Sequence, residues 1–253
     1  MFFDLFFVIL FGLVMGSFLS AFTYRFPKNI DFVKGRSFCP KCKAKIGWTD
    51  NIPLLSFILL KGKCSKCGKK ISFRYPLLEI LSALSFLLIY FNYRNSVTDL
   101  IIYLFIYLIT VSIMVIDFEE GIIPDELNFL GLVVSFFYIL LFRNSFIFQH
   151  IFWGFALSSF MLLIHLFTKG KGMGLGDVKF TLFPGSFLVF PLNLIWLFLS
   201  FIIGSLVGIF LILFKKAKFG KPIPFGPFLG VSFIIVLIWG KNLVEWIIPI
   251  LLK

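Results

Sequence analysis

Two aspartates stand where a carboxyl group is costly, at the ends of long apolar runs. Asp117 follows 17 uncharged residues, and Asp177 ends the segment Gly174-Leu175-Gly176-Asp177 just before another apolar run. Ionisable side chains at membrane depth tend to mark function. Two carboxylates within a few Å of each other cannot both ionise, so one keeps a proton and the other stays a base. An aspartic protease needs this division, because one group activates water and the other polarises the scissile carbonyl.

The surroundings of these aspartates allow a second interpretation. Alternate glycines from 170 to 176, among them Gly174 and Gly176, are predicted to give an extended peptide a side-chain-free approach to Asp177. Alternatively, Asp117 is a helix-end acid that meets water, and Asp177 caps the next helix. Asp125 is predicted to cap the helix that follows it, because acids are favoured at helix N-termini.

All four cysteines form two Cys-x-x-Cys pairs, at Cys39 and Cys42 and at Cys64 and Cys67, with 21 residues between the pairs. This spacing is typical of a closed four-thiolate structural zinc site. The loop has little apolar content, so bound metal would supply folding energy. Iron is an alternative metal, and disulfides or unconnected thiols are alternatives to metal. Disulfides are disfavoured if the loop faces the reducing cytoplasm.

Composition defines the fold class. Of 253 residues, 60% are hydrophobic and 14% are charged, which excludes an ordinary soluble domain and a disordered chain. We expect an all-α polytopic membrane protein with about eight transmembrane helices and a small four-cysteine loop domain between the first two. The predicted spans are 5–24, 80–93, 100–116, 127–142, 144–168, two within 180–214 divided near Pro191 and Asn193, and 224–252.

The distribution of charge predicts the topology. Residues 25–74 hold 13 of the 24 basic residues and two acids, a net charge of +11. No nucleic-acid-binding signature accompanies this block, so it indicates a cytoplasmic loop rather than a nucleic-acid partner. The N-terminus is then outside and the cytoplasmic segments are 25–76, 117–126, 169–179 and 215–223. The predicted domains are 1–24, a first helix; 25–76, a zinc-ribbon-like loop; and 77–253, the remaining membrane domain. We expect no internal repeat.

Seven ordered segments together resemble the bacterial type IV prepilin peptidases, which are leader peptidase/N-methyltransferases. Besides the two cysteine pairs, they are Gly16-Ser17-Phe18-Leu19 with Tyr24-Arg25-Phe26-Pro27; Trp48-Thr49-Asp50-Asn51-Ile52-Pro53-Leu54-Leu55-Ser56; Ile71-Ser72-Phe73-Arg74-Tyr75-Pro76-Leu77-Leu78-Glu79; Ile116-Asp117 through Ile123-Pro124-Asp125; Gly174-Leu175-Gly176-Asp177-Val178-Lys179; and Ile223-Pro224-Phe225-Gly226-Pro227-Phe228.

The resemblance implies a GxGD-type membrane aspartic peptidase. Such enzymes remove the basic leader of prepilins or pseudopilins at the cytoplasmic edge of the bacterial inner membrane. The catalytic pair is then Asp117 and Asp177, supported by the residues Gly174, Gly176, Asp125 and Lys179. The resemblance also implies methylation of the new N-terminus with S-adenosylmethionine, associated with residues 25–79. Ser20 and Thr49 depart from the family pattern in or near that region, where the family usually has Asn and Tyr.

Two rival functions belong to other classes. An ion-coupled transporter would place its carboxylates near the bilayer midplane and contain an inverted repeat, and the sequence shows neither. A non-catalytic zinc-ribbon adaptor would depend on its cysteines and tolerate the replacement of both aspartates by asparagine.

Overall fold

The computed structural model describes residues 2–31, 37–215 and 223–251. Positions 32–36 and 216–222, which belong to two of the predicted cytoplasmic segments, lie outside the described residues. In the described part the chain forms helices and turns and has no strand. The helices are α1 (Phe2–Arg25), α2 (Leu55–Leu59), α3 (Arg74–Tyr93), α4 (Val97–Glu120), α5 (Asp125–Phe142), α6 (Ile147–Phe167), α7 (Leu175–Phe187), α8 (Leu192–Leu213) and α9 (Gly226–Leu251).

Among the described residues, six helices are long and apolar enough to cross a membrane: α1, α3, α4, α5, α6 and α8. The predicted division of the 180–214 run is confirmed, because α7 ends at Phe187 and α8 begins at Leu192. The predicted fold class is also confirmed, since the chain is an all-α polytopic protein with a four-cysteine cluster between α1 and α3. Large side chains such as Phe3 on α1 and Phe148 on α6, 80% and 86% exposed, suit contact with lipid.

The chain divides into two compact units, residues 1–100 and 101–253. In the first unit, α1 packs along α3. Two glycines one turn apart on α1 make the close approach possible. A Cβ on Gly12 would lie 2.7 Å from Cα of Ala83, and a Cβ on Gly16 would lie 2.6 Å from Cα of Glu79. Small residues spaced in this way let two membrane helices pack backbone to backbone.

In the second unit α7 is the central helix and contacts α5, α6, α8 and α9. Its core side chains, Phe180 and Phe183, are fully buried, and the ring of Phe183 packs edge-to-face on Phe233 of α9. Tyr103 of α4 packs edge-to-face on Phe187 at the other end of α7. Since α7 is held on several sides, its first turn has a fixed position, and this turn carries Asp177.

Candidate active site and metal centre

The second unit brings Asp117 and Asp177 together. Asp117 lies in the last turn of α4 and Asp177 in the first turn of α7, 5% and 6% exposed. The charge on Asp117 acts directly on the Asp177 carboxyl group, and the backbone N–H of Gly226 interacts with both carboxyl groups. Oδ2 of Asp117 is buried and has no hydrogen-bond partner among the described residues. The interpretation of Asp117 as an acid that merely meets water therefore does not fit its burial.

The Asp177 side chain also closes the turn that carries it. Its Oδ2 accepts a hydrogen bond of 3.1 Å from the backbone N–H of Gly174, which closes the first turn of α7, so a capping role is part of its function. Asp177 precedes the apolar stretch of α7 and lies outside the six candidate spans. Burial raises its pKa to about 7, the neighbouring Asp117 carboxylate raises it as well, and the N–H groups of Gly174 and Gly226 act in the opposite direction. Near neutral pH this carboxyl group can therefore hold a proton.

Gly226 is the component of the site that sequence reasoning missed. It is the first residue of α9, and a Cβ there would lie 2.5 Å from Oδ2 of Asp117 and 3.0 Å from its Cγ. Only glycine allows the backbone of α9 to approach this closely. The positive end of the α9 dipole then faces the acidic pair and helps to stabilise its negative charge. The sequence does contain a signal for this position, because proline and glycine in Pro224-Phe225-Gly226-Pro227 mark the start of a helix.

The glycines before Asp177 are packed by their own turn. Nδ1 of His165 lies 2.7 Å from the Met173 carbonyl oxygen, and the ring of His165 lies against Gly170, which has a φ of 75°. A Cβ on Gly176 would lie 3.2 Å from Cβ of Ile123. The geometry therefore shows a compact turn, and the predicted role of these glycines as an approach for a peptide stays a prediction.

Asp125 and Lys179 form an ion pair between α5 and α7. Nζ of Lys179 donates to both carboxylate oxygens of Asp125, at 2.9 and 2.8 Å. The prediction that Asp125 caps α5 is wrong, because Pro124 occupies the N-cap position and the Asp125 side chain reaches across to α7. Both side chains are more than half exposed, so the pair contributes at most about 1 kcal/mol to stability. The pair links the segment that follows Asp117 to the turn that carries Asp177.

The four cysteines meet in the first unit. One sulfur from each of Cys39, Cys42, Cys64 and Cys67 lies within 4.8 Å of the other three, and all four are free thiols. Four thiolates that surround one point form the closed tetrahedral donor set of a structural zinc or iron site. The cluster could therefore hold a metal ion, as predicted. It leaves no coordination position open for chemistry.

The two cysteine turns are copies of one pattern, Cys-x-Lys-Cys-x-x-Lys-Ile, at residues 39–46 and 64–71. In the first turn the Cys39 N–H donates to the Ala44 carbonyl and the Lys43 N–H to the Cys39 carbonyl. In the second, the Cys64 N–H donates to the Lys69 carbonyl and the Gly68 N–H to the Cys64 carbonyl. The expectation of no internal repeat is wrong at this scale, because the two turns share an eight-residue pattern and the same backbone hydrogen bonds.

The positions that depart from the family pattern have clear local roles. Ser20 is buried in α1, its hydroxyl donates to the Ser17 carbonyl, and its own carbonyl accepts a 2.7 Å hydrogen bond from Arg74. Thr49 begins a short 3₁₀ turn. Glu79, also in this region, is buried and accepts a 2.9 Å hydrogen bond from the Leu54 N–H. These contacts hold the cysteine loop against α1 and α3.

Two protein families match this chain, one in each of its two compact units. Residues 10–93 match the bacterial peptidase A24 N-terminal domain, and residues 102–209 match the type IV leader peptidase family. The chain belongs to the type IV leader peptidase family. The predicted family is thus confirmed, and Asp117 and Asp177 lie inside the region that matches it, whereas Gly226 lies beyond that region.

Curated relatives in this family are similar along nearly the whole chain. One relative, from Pseudomonas aeruginosa, is named prepilin leader peptidase/N-methyltransferase. It is 30% identical to this chain, and the alignment covers 93% of this chain and 90% of the relative. The Aeromonas hydrophila relative, which has the same name, is 31% identical over 94% of this chain and 92% of its own length. The Vibrio cholerae relative, also of this name, is 32% identical over 89% of this chain and 92% of its own length. No solved structure gives a significant match. With six membrane-capable helices in the part of the chain that the structure describes, family membership makes the chain a multi-pass inner-membrane protein.

Proposed function

We propose that the protein is a prepilin leader peptidase that also N-methylates its product, as the names of its relatives indicate. Its substrates are then prepilins or pseudopilins, whose basic leader precedes an apolar helix in the bilayer. The observation that supports cleavage most directly is that two buried carboxyl groups, from α4 and α7, lie beside each other next to Gly226 at the start of α9.

The environment of the pair suggests how the roles divide. We assign the shared proton to Asp177, because burial and the Asp117 charge both raise its pKa. Protonated Asp177 would donate a hydrogen bond to the scissile carbonyl oxygen. Ionised Asp117 would accept a proton from the attacking water, and its buried Oδ2 has no other partner among the described residues. A single proton shared between the two groups is sufficient for both roles.

We place this site at the cytoplasmic edge of the membrane. The support is the topology predicted from charge, in which the cytoplasmic segments are rich in basic residues, above all residues 25–74 with a net charge of +11. Asp117 lies three residues before Glu120, the last residue of α4, so the pair is near a helix end rather than mid-helix. A carrier mechanism would need its carboxylates near the bilayer midplane.

For the cysteine cluster we propose zinc in a structural role. The duplicated turns supply four sulfurs as ligands, a set that suits zinc. The surrounding lysines offset the net negative charge of zinc bound by four thiolates. We also propose that residues 25–79 carry methyl transfer. S-Adenosylmethionine would act there as a second substrate and supply the methyl group. The match of residues 10–93 to the N-terminal domain of the bacterial enzymes supports this assignment.

Replacing each aspartate separately tests the proposal for cleavage. Asp117→Asn and Asp177→Asn should each abolish leader removal from a purified prepilin by the full-length enzyme in detergent. Asp99→Asn, at the opposite end of α4 from Asp117, is the matched control and should retain it.

Methylation of a prepilin that has already been cleaved is measured in parallel. Both active-site variants should retain this activity, which shows that they are folded. Leader removal by either variant at the wild-type rate would contradict the proposed pair and favour the adaptor hypothesis.

A further inference from the structure

The short helix α2 presents an apolar face that the described part of the protein leaves uncovered. Leu55, Ile58 and Leu59 are spaced at i, i+3 and i+4, so they share one side of the helix. Their exposed fractions are 58%, 67% and 78%. Trp48, beside the 3₁₀ turn that contacts α2, is 77% exposed. Exposed apolar side chains grouped in this way indicate a binding surface.

The orientation of α2 is fixed by contacts on its opposite side. The ring of Phe57 lies 3.2 Å from the position of a Cβ on Gly62 and packs edge-to-face on Phe73. Directly before the helix, the N–H of Leu54 donates to Oε2 of Glu79. Because Glu79 lies in the second turn of the membrane helix α3, this bond holds α2 at the depth where α3 begins. The apolar face is therefore held at the membrane boundary.

Cationic side chains border this face. A groove of about 350 Å³ lies between α2 and the second cysteine turn, with Ile58 and Ile71 on its apolar wall and Lys61, Lys63 and Lys70 around it. All three lysines are exposed. Apolar side chains beside several ammonium groups are typical of segments that lie in the interface of an anionic membrane.

We propose that the α2 face, comprising Leu55, Ile58 and Leu59 with Lys61, Lys63 and Lys70, binds anionic phospholipid in the leaflet where α3 begins. The apolar side chains enter the boundary of the acyl chains, and the lysines hold headgroup phosphates. A basic prepilin leader is a poorer partner for this surface, because its positive charge would be repelled by the lysines. The bound lipid would hold the cysteine domain down on the membrane surface.

The test compares two full-length variants with equal loss of charge. One carries Lys61→Gln, Lys63→Gln and Lys70→Gln; the control carries Lys43→Gln, Lys45→Gln and Lys66→Gln, outside the groove. Retention of phosphatidylglycerol by the detergent-solubilised protein is titrated by native mass spectrometry. Each lysine near an anionic surface contributes roughly fivefold in affinity, so the groove variant should bind at least about tenfold more weakly than the control. Metal content shows whether the cysteine turns are intact.

Amide hydrogen exchange of residues 53–63 gives an independent measurement. In nanodiscs that contain phosphatidylglycerol, exchange should be slower than in phosphatidylcholine alone, and the groove variant should lose this difference. If the lysine changes unfold the loop, Ile58→Ser with Leu59→Ser leaves the charges in place and should still abolish the protection. Equal lipid retention by both lysine variants would overturn the proposal. So would protection that appears only when a prepilin is added, because the surface would then belong to a protein partner.

Discussion

Changing Gly226 to alanine would put one methyl group against the acidic pair. An ideal Cβ at this position lies 2.5 Å from Oδ2 of Asp117, whereas ordinary contact begins at 3.4 Å, so the oxygen must move by about 0.9 Å. Asp117 is 5% exposed and cannot swing into solvent to relieve the overlap. Gly226 does not have a left-handed backbone conformation, so alanine adds no backbone strain there. The effect should therefore fall on the position of the carboxyl group.

The size of this displacement sets the expected loss of activity. A misplacement of about 1 Å in a catalytic constellation can cost about 100-fold in rate. We therefore expect Gly226→Ala to lower kcat for leader removal by about 100-fold, with a much smaller change in KM. The assay uses the full-length variant in detergent with a purified prepilin, and it determines kcat and KM separately.

Two other glycines serve as controls. Gly230 lies one turn further along α9 and packs on Met114 of the same helix α4, where a Cβ would lie 3.0 Å from the Met114 Cβ. Gly230→Ala therefore disturbs the same helix pair without touching a carboxyl group. At Gly208, on α8, the new methyl group of Gly208→Ala has no atom of the described residues within 4 Å. Wild-type kcat in Gly226→Ala, or an equal loss in Gly230→Ala, would refute a specific role for Gly226 beside the acidic pair.

Two further predictions concern pH and metal. In the proposed mechanism Asp177 must carry a proton, and its pKa is about 7, so the proton is present below pH 7 and is lost above it. We therefore expect kcat/KM to fall as pH rises above 7, approaching a tenfold decrease per pH unit. A flat kcat/KM profile between pH 6 and 9 would contradict the assignment of the proton. Cys64→Ser should lower bound metal and make residues 37–72 sensitive to protease, while leader removal falls less than in the aspartate variants. Full metal content in this variant, measured by elemental analysis, would count against a four-thiolate site.

The helices were predictable because the bilayer imposes a length on each apolar run. The run at 180–214 is too long for one crossing and contains Pro191 and Asn193. The chain turns at residues 188–191, and Asn193 lies in the first turn of α8. The four-thiolate cluster was predictable for a similar reason, since two closely spaced cysteine pairs leave few alternatives to metal. In both cases a local pattern is sufficient to define the structure.

Contacts between distant segments were not predictable. The position of Gly226 beside Asp117 depends on where the start of α9 meets the end of α4, and no local pattern encodes that approach. Asp125 illustrates the same limit, because its position favours a cap whereas its side chain pairs with Lys179 on α7. The repeat in the cysteine loop was available in the sequence. Its meaning becomes clear only when both copies show the same backbone hydrogen bonds.

Burial separates the two aspartates from the other acids near the helix ends. In sequence, Asp117, Asp125 and Asp177 are all acids beside apolar helices, and each could be a boundary residue that meets water. In the structure, the Asp125 side chain is 67% exposed, while Asp117 and Asp177 are almost completely buried beside each other. Two carboxyl groups buried together are costly unless they share a proton, and a boundary role would not require that cost. The burial of this pair therefore favours a chemical role over that of helix-end acids that meet water.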